Sequence, residues 1–344
     1  MGTKLGDIVK AEIISLQHLS GRAIAVDAFN TIYAFLASIR QPDGTPLMDT
    51  KGRVTSHLSG LFYRNLNLLE HGINPVYVFD GEAPKLKATE VERRQEIREA
   101  AREEWIRAKE EGRIEDARRA AQASSRLTTT MVEGSKMLLT ALGIPVIQAP
   151  SEGEALAAQM TRSNIVWASA SQDNDSLLYN CPRMIRNLSL TGRRRISRSR
   201  TYKTIHPELI DLDVNLRFMG ITREQLIDVA ILVGTDYNDK LEGVGAKTAL
   251  KWIKKHGSLE KVETEKRIKL DFPYDEIRDI FLNPPRVEIE EPKWSEPKDA
   301  DIRRILCSEH DFSPNRVEKS LERLHVALEE ARGSTEQSSL TDFF

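Results

Sequence analysis

Two pairs of carboxylates, Glu152 with Glu154 and Asp173 with Asp175, fall within 24 residues, each pair at spacing i, i+2. The apolar run 165–170 reads as a buried strand, which places Asp173 and Asp175 just past its end. In an open parallel sheet that edge is where ligands bind. Three more acids follow apolar runs: Asp27 after Ala23–Val26, Asp80 after Pro75–Phe79, and Asp236 after Ile231–Thr235. The last run reads equally well as the end of a helix. Pooled at one sheet edge, these would be seven carboxylates. Like charges so close cannot all stay ionised without a counter-charge. No His or Cys cluster accompanies them, so hard divalent cations on oxygen ligands, Mg²⁺ or Mn²⁺, are the natural answer. Two such ions roughly 3.5–4 Å apart are the usual device for in-line attack on a phosphodiester. Plainer readings compete at single positions. Ser151-x-x-Glu154 fits a capping box, and one strand-ending Asp is commonly a turn or cap residue.

The rest of the chain must position these acids. At 344 residues it can bury a large core, in one big domain or two. Fifty Lys and Arg against 52 Asp and Glu leave bulk charge uninformative about partners. Cys181 and Cys307 supply neither a disulfide framework nor zinc spacing. No apolar run approaches membrane-spanning length, so a soluble intracellular protein is expected, without membrane contact. Helices are expected over 31–39, 56–72 and 128–142, and a strand over 144–147.

Charge is distributed unevenly. Residues 82–126 hold 12 Lys/Arg and 11 Asp/Glu, a pattern for long helices that pack little against a core. Lys87, Arg94, Arg98 and Arg102 recur at spacings of seven and four, a basic stripe suited to phosphate contact, though a solvated helix face is the plainer reading. Residues 183–203 carry eight Arg/Lys and no acid, with a hairpin expected at 188–195. Further on, Gly243-Val244-Gly245 precedes a helix start rich in lysine (Lys247, Lys251, Lys254, Lys255). Glycines let backbone approach a phosphate, and the helix N-terminus offers free N–H groups. From Gly333 the chain turns small and polar, then ends with Gln337, Leu340, Phe343 and Phe344, an apolar tip expected to be mobile and to fill a partner's pocket.

Together these pieces resemble the flap endonucleases of the XPG-type structure-specific nuclease family, in its archaeal and eukaryotic replication and repair branch. The marks are Val26-Asp27-Ala28-Phe29-Asn30, Val76 to Gly81, Ala149 to Ala155, Ser171 to Asp175 and Gly234-Thr235-Asp236-Tyr237. The resemblance implies an α/β fold: a mostly parallel central sheet flanked by helices, with an inserted helical arch and a helical C-terminal DNA-binding region containing a helix-two-turn-helix. It divides the chain into the N-terminal core (1–81), the arch (82–126), the remaining core with the helix-two-turn-helix (127–258), a helical part (259–332) and a clamp-binding tail (333–344).

By the same resemblance, the activity is 5′ flap endonuclease with 5′–3′ exonuclease. Two Mg²⁺ are implied, one nearer Asp27, Asp80, Glu152 and Glu154, the other nearer Asp173, Asp175 and Asp236; Mn²⁺ substitutes. Lys87 and Arg94 match the catalytic basic pair. Tyr33 matches an aromatic that stacks near the reacting nucleotide, and Arg40 and Arg64 match substrate contacts, Arg64 close to a one-nucleotide 3′-flap pocket. Glu152, Gly234 and Asp236 count with the DNA-facing positions, as do Gly243, Gly245, Lys247 and Lys251, where K⁺ helps hold duplex phosphates. Gln337, Leu340, Phe343 and Phe344 resemble the motif that docks on the sliding clamp. The implied partner is branched DNA bound by a monomer, in the cytoplasm of an archaeon or a eukaryotic nucleus. Two positions depart from the family's habit: Asn174, often an aromatic, and Ala246, often Pro. A small-molecule phosphatase, or a clamp-tethered DNA-binding scaffold without catalysis, are the rival readings. The first would need neither the basic hairpin nor the glycine–lysine turn, and the second would tolerate loss of one of the seven acids.

Overall fold

The computed structural model describes residues 3–41, 43–190, 192–195 and 202–341. Its centre is a seven-stranded sheet. Strands β1 (Glu12–Ile13), β2 (Ala23–Asp27), β3 (Asn74–Phe79), β4 (Val146–Gln148), β5 (Ala168–Ala170) and β6 (Arg183–Arg186) belong to it. Strands β7 (Gly192–Arg195) and β8 (Tyr202–Ile205) form a separate hairpin, and β9 (Glu208–Asp211) returns to the sheet. The order is β1-β9-β6-β5-β2-β3-β4. Strands β6, β5, β2, β3 and β4 run parallel, and β9 and β1 add an antiparallel margin. The mostly parallel sheet is therefore as expected. Parallel strands need buried crossovers on both faces, and the apolar runs of β2 and β3 are accordingly almost fully buried.

Helices α1 (Ala28–Ser38) and α2 (Ser56–Glu70) connect β2 to β3. After β3 come α3 (Ala88–Glu110) and α4 (Ile114–Ala123), the stretch expected to be the arch. Among its described side chains α3 has no buried apolar stripe, and it packs chiefly against α4. Arg40 Nη2 on Ser125 Oγ (2.7 Å) ties the end of α1 to the chain leaving α4. Next come α5 (Thr129–Ala141), capped by the Thr128 side chain, α6 (Gly153–Arg162) and the single turn α7 (Asp175–Leu178).

Beyond β9 the chain is helical: α8 (Leu212–Met219), α9 (Arg223–Val233), α10 (Ala246–His256), α11 (Leu259–Lys266), α12 (Tyr274–Leu282), α13 (Asp299–Arg303) and α14 (Pro314–Thr341). Helix α9 sits in an apolar cluster with Leu177, Ile253, Val262, Ile277 and Phe281, which seats α10, α11 and α12 around it. A second cluster joins α1, α2 and α5 to α13 and α14.

Several local expectations shift. The run 165–170 is strand only from Ala168, because Ile165 N–H still bonds back to Met160 in the turn leaving α6. The strand expected at 144–147 starts at Val146, after Pro145, which has no N–H to give a ladder. The basic hairpin is real but displaced: Leu188–Leu190 is a 3₁₀ turn, and the arms are β7 and β8. Its loop lies outside the described residues. The run before Asp236 is the end of helix α9, the second of its two readings. At the C-terminus helix continues through Gly333 to Thr341, so the break in composition there is not a helix end. Gln337 and Leu340 fall in that helix, whereas Phe343 and Phe344 lie outside the described residues.

Candidate active site

The parallel strands β2 and β3 lie side by side, with Asp27 level with Val78. Asp27 closes β2 and caps α1, accepting from Asn30 N–H (3.0 Å). Asp80 follows β3 and accepts from Gly153 N–H at the start of α6 (2.7 Å). That bond brings the 152–154 turn onto the sheet edge. Helix α6 starts at Gly153 with Glu152 in the capping position and no side-chain cap. The Ser151–Glu154 capping box is thus absent. Glu154 does not serve the helix end, and its Oε1 is buried without a hydrogen-bond partner. Asp173 and Asp175 follow β5, next in the sheet to β2.

Electrostatics confirm that these acids crowd one another. Burial, then the neighbouring Asp80 and Asp173, push the Asp27 carboxyl up to about 8. Burial, then Asp175 and Asp27, raise Glu154 well above the carboxylate range. Burial with Asp236 and Asp173 lifts Asp175 to about 6. Asp80 is raised by burial against the pull of Gly153 N–H and Lys87, and Glu152 by burial against Lys87. Two cations from the chain after β3 enter this field. Lys87 Nζ bonds Glu152 (2.7 Å) and Asp236 (3.3 Å), and Arg94 bonds Asp236 and Glu90. Burial opposes the Lys87 charge, but Glu152 and Asp236 outweigh it and hold its pKa up. All seven acids, Lys87 and Arg94 therefore share one site. Among the described residues, no three His, Cys, Asp or Glu are drawn tightly enough to enclose a metal ion by themselves.

The remaining expected residues spread outward. Tyr33, on α1, carries the Arg98 guanidinium over its ring at 4.8 Å. Arg40 is committed to the carbonyls of Leu36 and Gly44 (2.8 Å each) and to Ser125. Arg64 lies beside Gly192 of the basic hairpin, and burial lowers its pKa. Gly234 has φ +98, and a Cβ there would meet Lys240 N at 2.8 Å, so only glycine lets the chain turn from α9 toward Asp236. Gly243 (φ +74) and Gly245 face open space ahead of α10, where Lys247, Lys251, Lys254 and Lys255 line an exposed groove. This lysine face is a separate surface from the acid cluster.

Sequence reasoning missed the residues that hold the acids in place. Asn30 donates its amide to Asp173 Oδ2 (2.9 Å) and accepts from Gln172 N–H (3.2 Å), so it links the β2 and β5 ends. Thr3 N–H donates to Asp175 Oδ1 (2.8 Å), and Asn174 donates to Thr3 O (3.2 Å). The departure at Asn174 thereby gains a use, pinning the N-terminal segment. Tyr179 and Tyr237 bond hydroxyl to hydroxyl (3.0 Å) in the buried layer beneath. Only Asn30, three residues past Asp27, carried a sequence signal.

Residues 4–101 match the model of the XPG N-terminal domain, and residues 143–236 that of the XPG I-region. The chain is 50% identical over 347 residues to flap endonuclease 1 of Saccharolobus solfataricus, covering 99% of each. It is likewise 50% identical to flap endonuclease 1 of Pyrococcus furiosus, covering 98% of this chain and 99% of that one. Among solved structures, flap endonuclease-1 from Methanococcus jannaschii superposes with a TM-score of 0.72 at 36% identity, covering 96% of this chain and all of that one. The α/β fold is that of an XPG-type nuclease. Within that class the chain belongs to the flap endonuclease 1 family, whose function is cleavage of 5′ flaps in DNA.

Proposed function

We propose that the chain hydrolyses the phosphodiester at the base of a 5′ flap with two divalent metal ions, Mg²⁺ foremost, and also acts as a 5′–3′ exonuclease in replication and repair. The observation that carries this is the meeting of Lys87 and Arg94 with Glu152 and Asp236. Cations placed on a surplus of buried carboxylates mark where a phosphate is handled.

An oxygen-only donor set, raised carboxyl pKa values and the unpaired Glu154 Oε1 all fit hard divalent cations. Asp27, Asp80, Glu152 and Glu154 would hold one ion and Asp173, Asp175 and Asp236 the other. Bound there, the ions would supply a nucleophile at neutral pH and neutralise the leaving oxygen. The chain's own residues do the rest. Lys87 and Arg94 exchange their carboxylate partners for the scissile phosphate and offset the charge growing on it. Asn30 keeps Asp173 in register with Asp27. Tyr33 offers a face to a base, while Arg40 and Arg64 contact substrate beside the arch formed by 82–126. The Gly243–Gly245 turn, aided by K⁺, and the α10 lysines grip duplex phosphates without reading sequence.

The catalytic core of Rad2, solved in complex with a DNA substrate, is 25% identical, with a TM-score of 0.72, covering 94% of this chain and all of that one. That likeness supports branched DNA as the partner. No described helix is long and apolar enough to cross a membrane. We place the enzyme, a monomer, with chromosomal DNA in the cytoplasm, tethered to a sliding clamp by Gln337, Leu340, Phe343 and Phe344. Labelled double-flap, nicked and single-stranded DNA, each with Mg²⁺ and with chelator, test the reading. Metal-dependent cleavage confined to the junction is expected, and cleavage that ignores DNA shape or survives chelation overturns it. Replacing both terminal phenylalanines by Ala should abolish clamp binding, read by calorimetry, without changing unassisted cleavage.

A further inference from the structure

Three arginines meet at the ends of α6 and α9 that point away from the acid cluster, and among the described residues none of them forms an ion pair. Arg162 ends α6 and Arg223 opens α9. The opposite ends of these two helices lead to Glu154 and Asp236. Ten or eleven helical residues span roughly 15 Å, so the arginines sit about one helix length behind the active site. With Arg286, from the chain after α12, they line a recess of about 60 Å³ that Tyr179, Asn180 and Leu282 also border.

The protein fixes two of the guanidiniums without neutralising them. Arg162 Nη1 donates to the carbonyls of Tyr179 and Asn180. Arg223 donates from Nε to Leu178 O (3.0 Å) and from Nη2 to Phe281 O (2.6 Å). Those carbonyls end α7 and α12 and carry only partial negative charge. Burial lowers the Arg162 pKa, and Arg286 lowers it further; burial and then Arg162 do the same to Arg223, with Glu224 the acid that offsets them. Arg162 keeps Nε and Nη2 for another acceptor, Arg223 keeps Nη1, and Arg286 is exposed and bonds to none of the described residues. Convergent cations with spare N–H groups, faced only by the exposed carboxylate of Glu224, have the makings of an anion site. Guanidinium forks match the geometry of phosphate oxygens. The recess has room for a few waters, which suits one tetrahedral oxyanion and not a nucleoside.

We propose that this recess binds a single phosphate group, apart from the active site, presented either as inorganic phosphate or as a backbone phosphate of bound DNA. Arg286→Gln is the clean probe, because it removes one of the cations and breaks no bond of the fold. Thermal unfolding of the full chain in chelator is followed as inorganic phosphate replaces chloride at constant ionic strength. In parallel, flap-DNA affinity is measured against salt. If the source is free phosphate, wild-type Tm rises by about 2–4 °C, the variant loses more than half of that rise, and DNA affinity is unchanged. If the source is DNA, the variant binds flap DNA more weakly and its salt slope falls by about one unit. Equal phosphate response and equal DNA affinity in both proteins overturn the proposal.

Discussion

Two of the regions that bury carboxylates in this molecule are built on opposite principles. Where α9, α11 and α12 meet, one buried acid, Asp228, is matched by one cation: Arg278 Nη2 approaches Oδ1 at 3.0 Å, and Leu259 N–H donates to Oδ2 at 3.3 Å. At the acidic sheet edge seven acids share Lys87 and Arg94. The first region has its charge balanced within the fold, so its ion pair serves to hold helices together. The second carries a surplus that folding alone cannot justify, and such a surplus marks a site completed by something from outside. The comparison separates structural from functional acids without reference to any relative.

The largest effect that would test this contrast is expected at Asp173. Asp173→Ala should lower single-turnover flap cleavage on the order of 10³-fold, equivalent to several kcal/mol of transition-state stabilisation. Junction binding, measured with Ca²⁺ in place of Mg²⁺, should survive. Removing one of several crowded acids should also leave Tm unchanged or raised in chelator. Near-normal cleavage by the variant at saturating Mg²⁺ would show that the surplus is not catalytic.

Next in size are the two cationic surfaces. Lys87→Ala and Arg94→Ala should each slow single-turnover cleavage by about 10²–10³-fold and weaken binding far less. Lys247→Ala and Lys251→Ala should do the reverse, weakening binding to every duplex sequence and lowering the salt slope by about one unit each. Rate and affinity changing in the same proportion in both sets would merge the surfaces into one.

How far the sequence revealed this depended on how local each cause was. Asp27 and Asp80 were legible because an apolar run that stops at an acid is a strand meeting an edge, and β2 and β3 are such runs. Asp236 was legible as a candidate, but its run is the end of α9, since four to six apolar residues suit a buried strand or a buried helix alike. The capping box at Ser151 was a false local signal. The start of α6 is set instead by the long-range bond from Gly153 N–H to Asp80. Thr3, the Tyr179–Tyr237 pair and the reach of Asn30 to Asp173 were invisible because the partners lie 58 to 172 residues apart. The displaced hairpin has the same origin: residues 188–190 fold locally, and β7 finds its register against β8 across a loop that local turn signals did not mark.

At the balanced site, breaking the pair should cost stability and spare chemistry. Arg278→Ala leaves Asp228 buried without its cation. A fully buried pair broken this way costs about 3–5 kcal/mol. Arg278 is partly exposed and its bonds to Glu260 and Asp275 face solvent, so about 1–3 kcal/mol is expected here after screening. Urea unfolding gives that number, while the single-turnover rate on prebound flap DNA should stay within about twofold. A large rate loss at full stability would make the α9–α12 junction part of the catalytic machinery and blur the distinction between the regions.

The smallest expected effect is also the one that compares both regions in a single measurement. Asp228 is raised to about 6, by burial against the pull of Arg278, and Asp27 to about 8, by burial and its acidic neighbours. In each case the folded state keeps a proton over a pH range where the unfolded chain, at about 3.9, has already lost it. Stability therefore falls with rising pH across that range, because the folded state binds more protons. For Asp228 the fall should run from about pH 4 to about 6 and then stop. For Asp27, in metal-free protein, it should continue to about pH 8. Subtracting the Tm of Asp228→Asn from that of the wild type removes all other titrations, and the same subtraction with Asp27→Asn isolates the second acid. The first difference curve should flatten above pH 6 after a fall of a few degrees, and the second keep declining, with the larger total fall. Adding Mg²⁺ should abolish the decline at Asp27 and leave the Asp228 curve as it was. Two curves that flatten at the same pH, or an Asp228 curve that responds to the metal, would mean that the two regions are not electrostatically distinct.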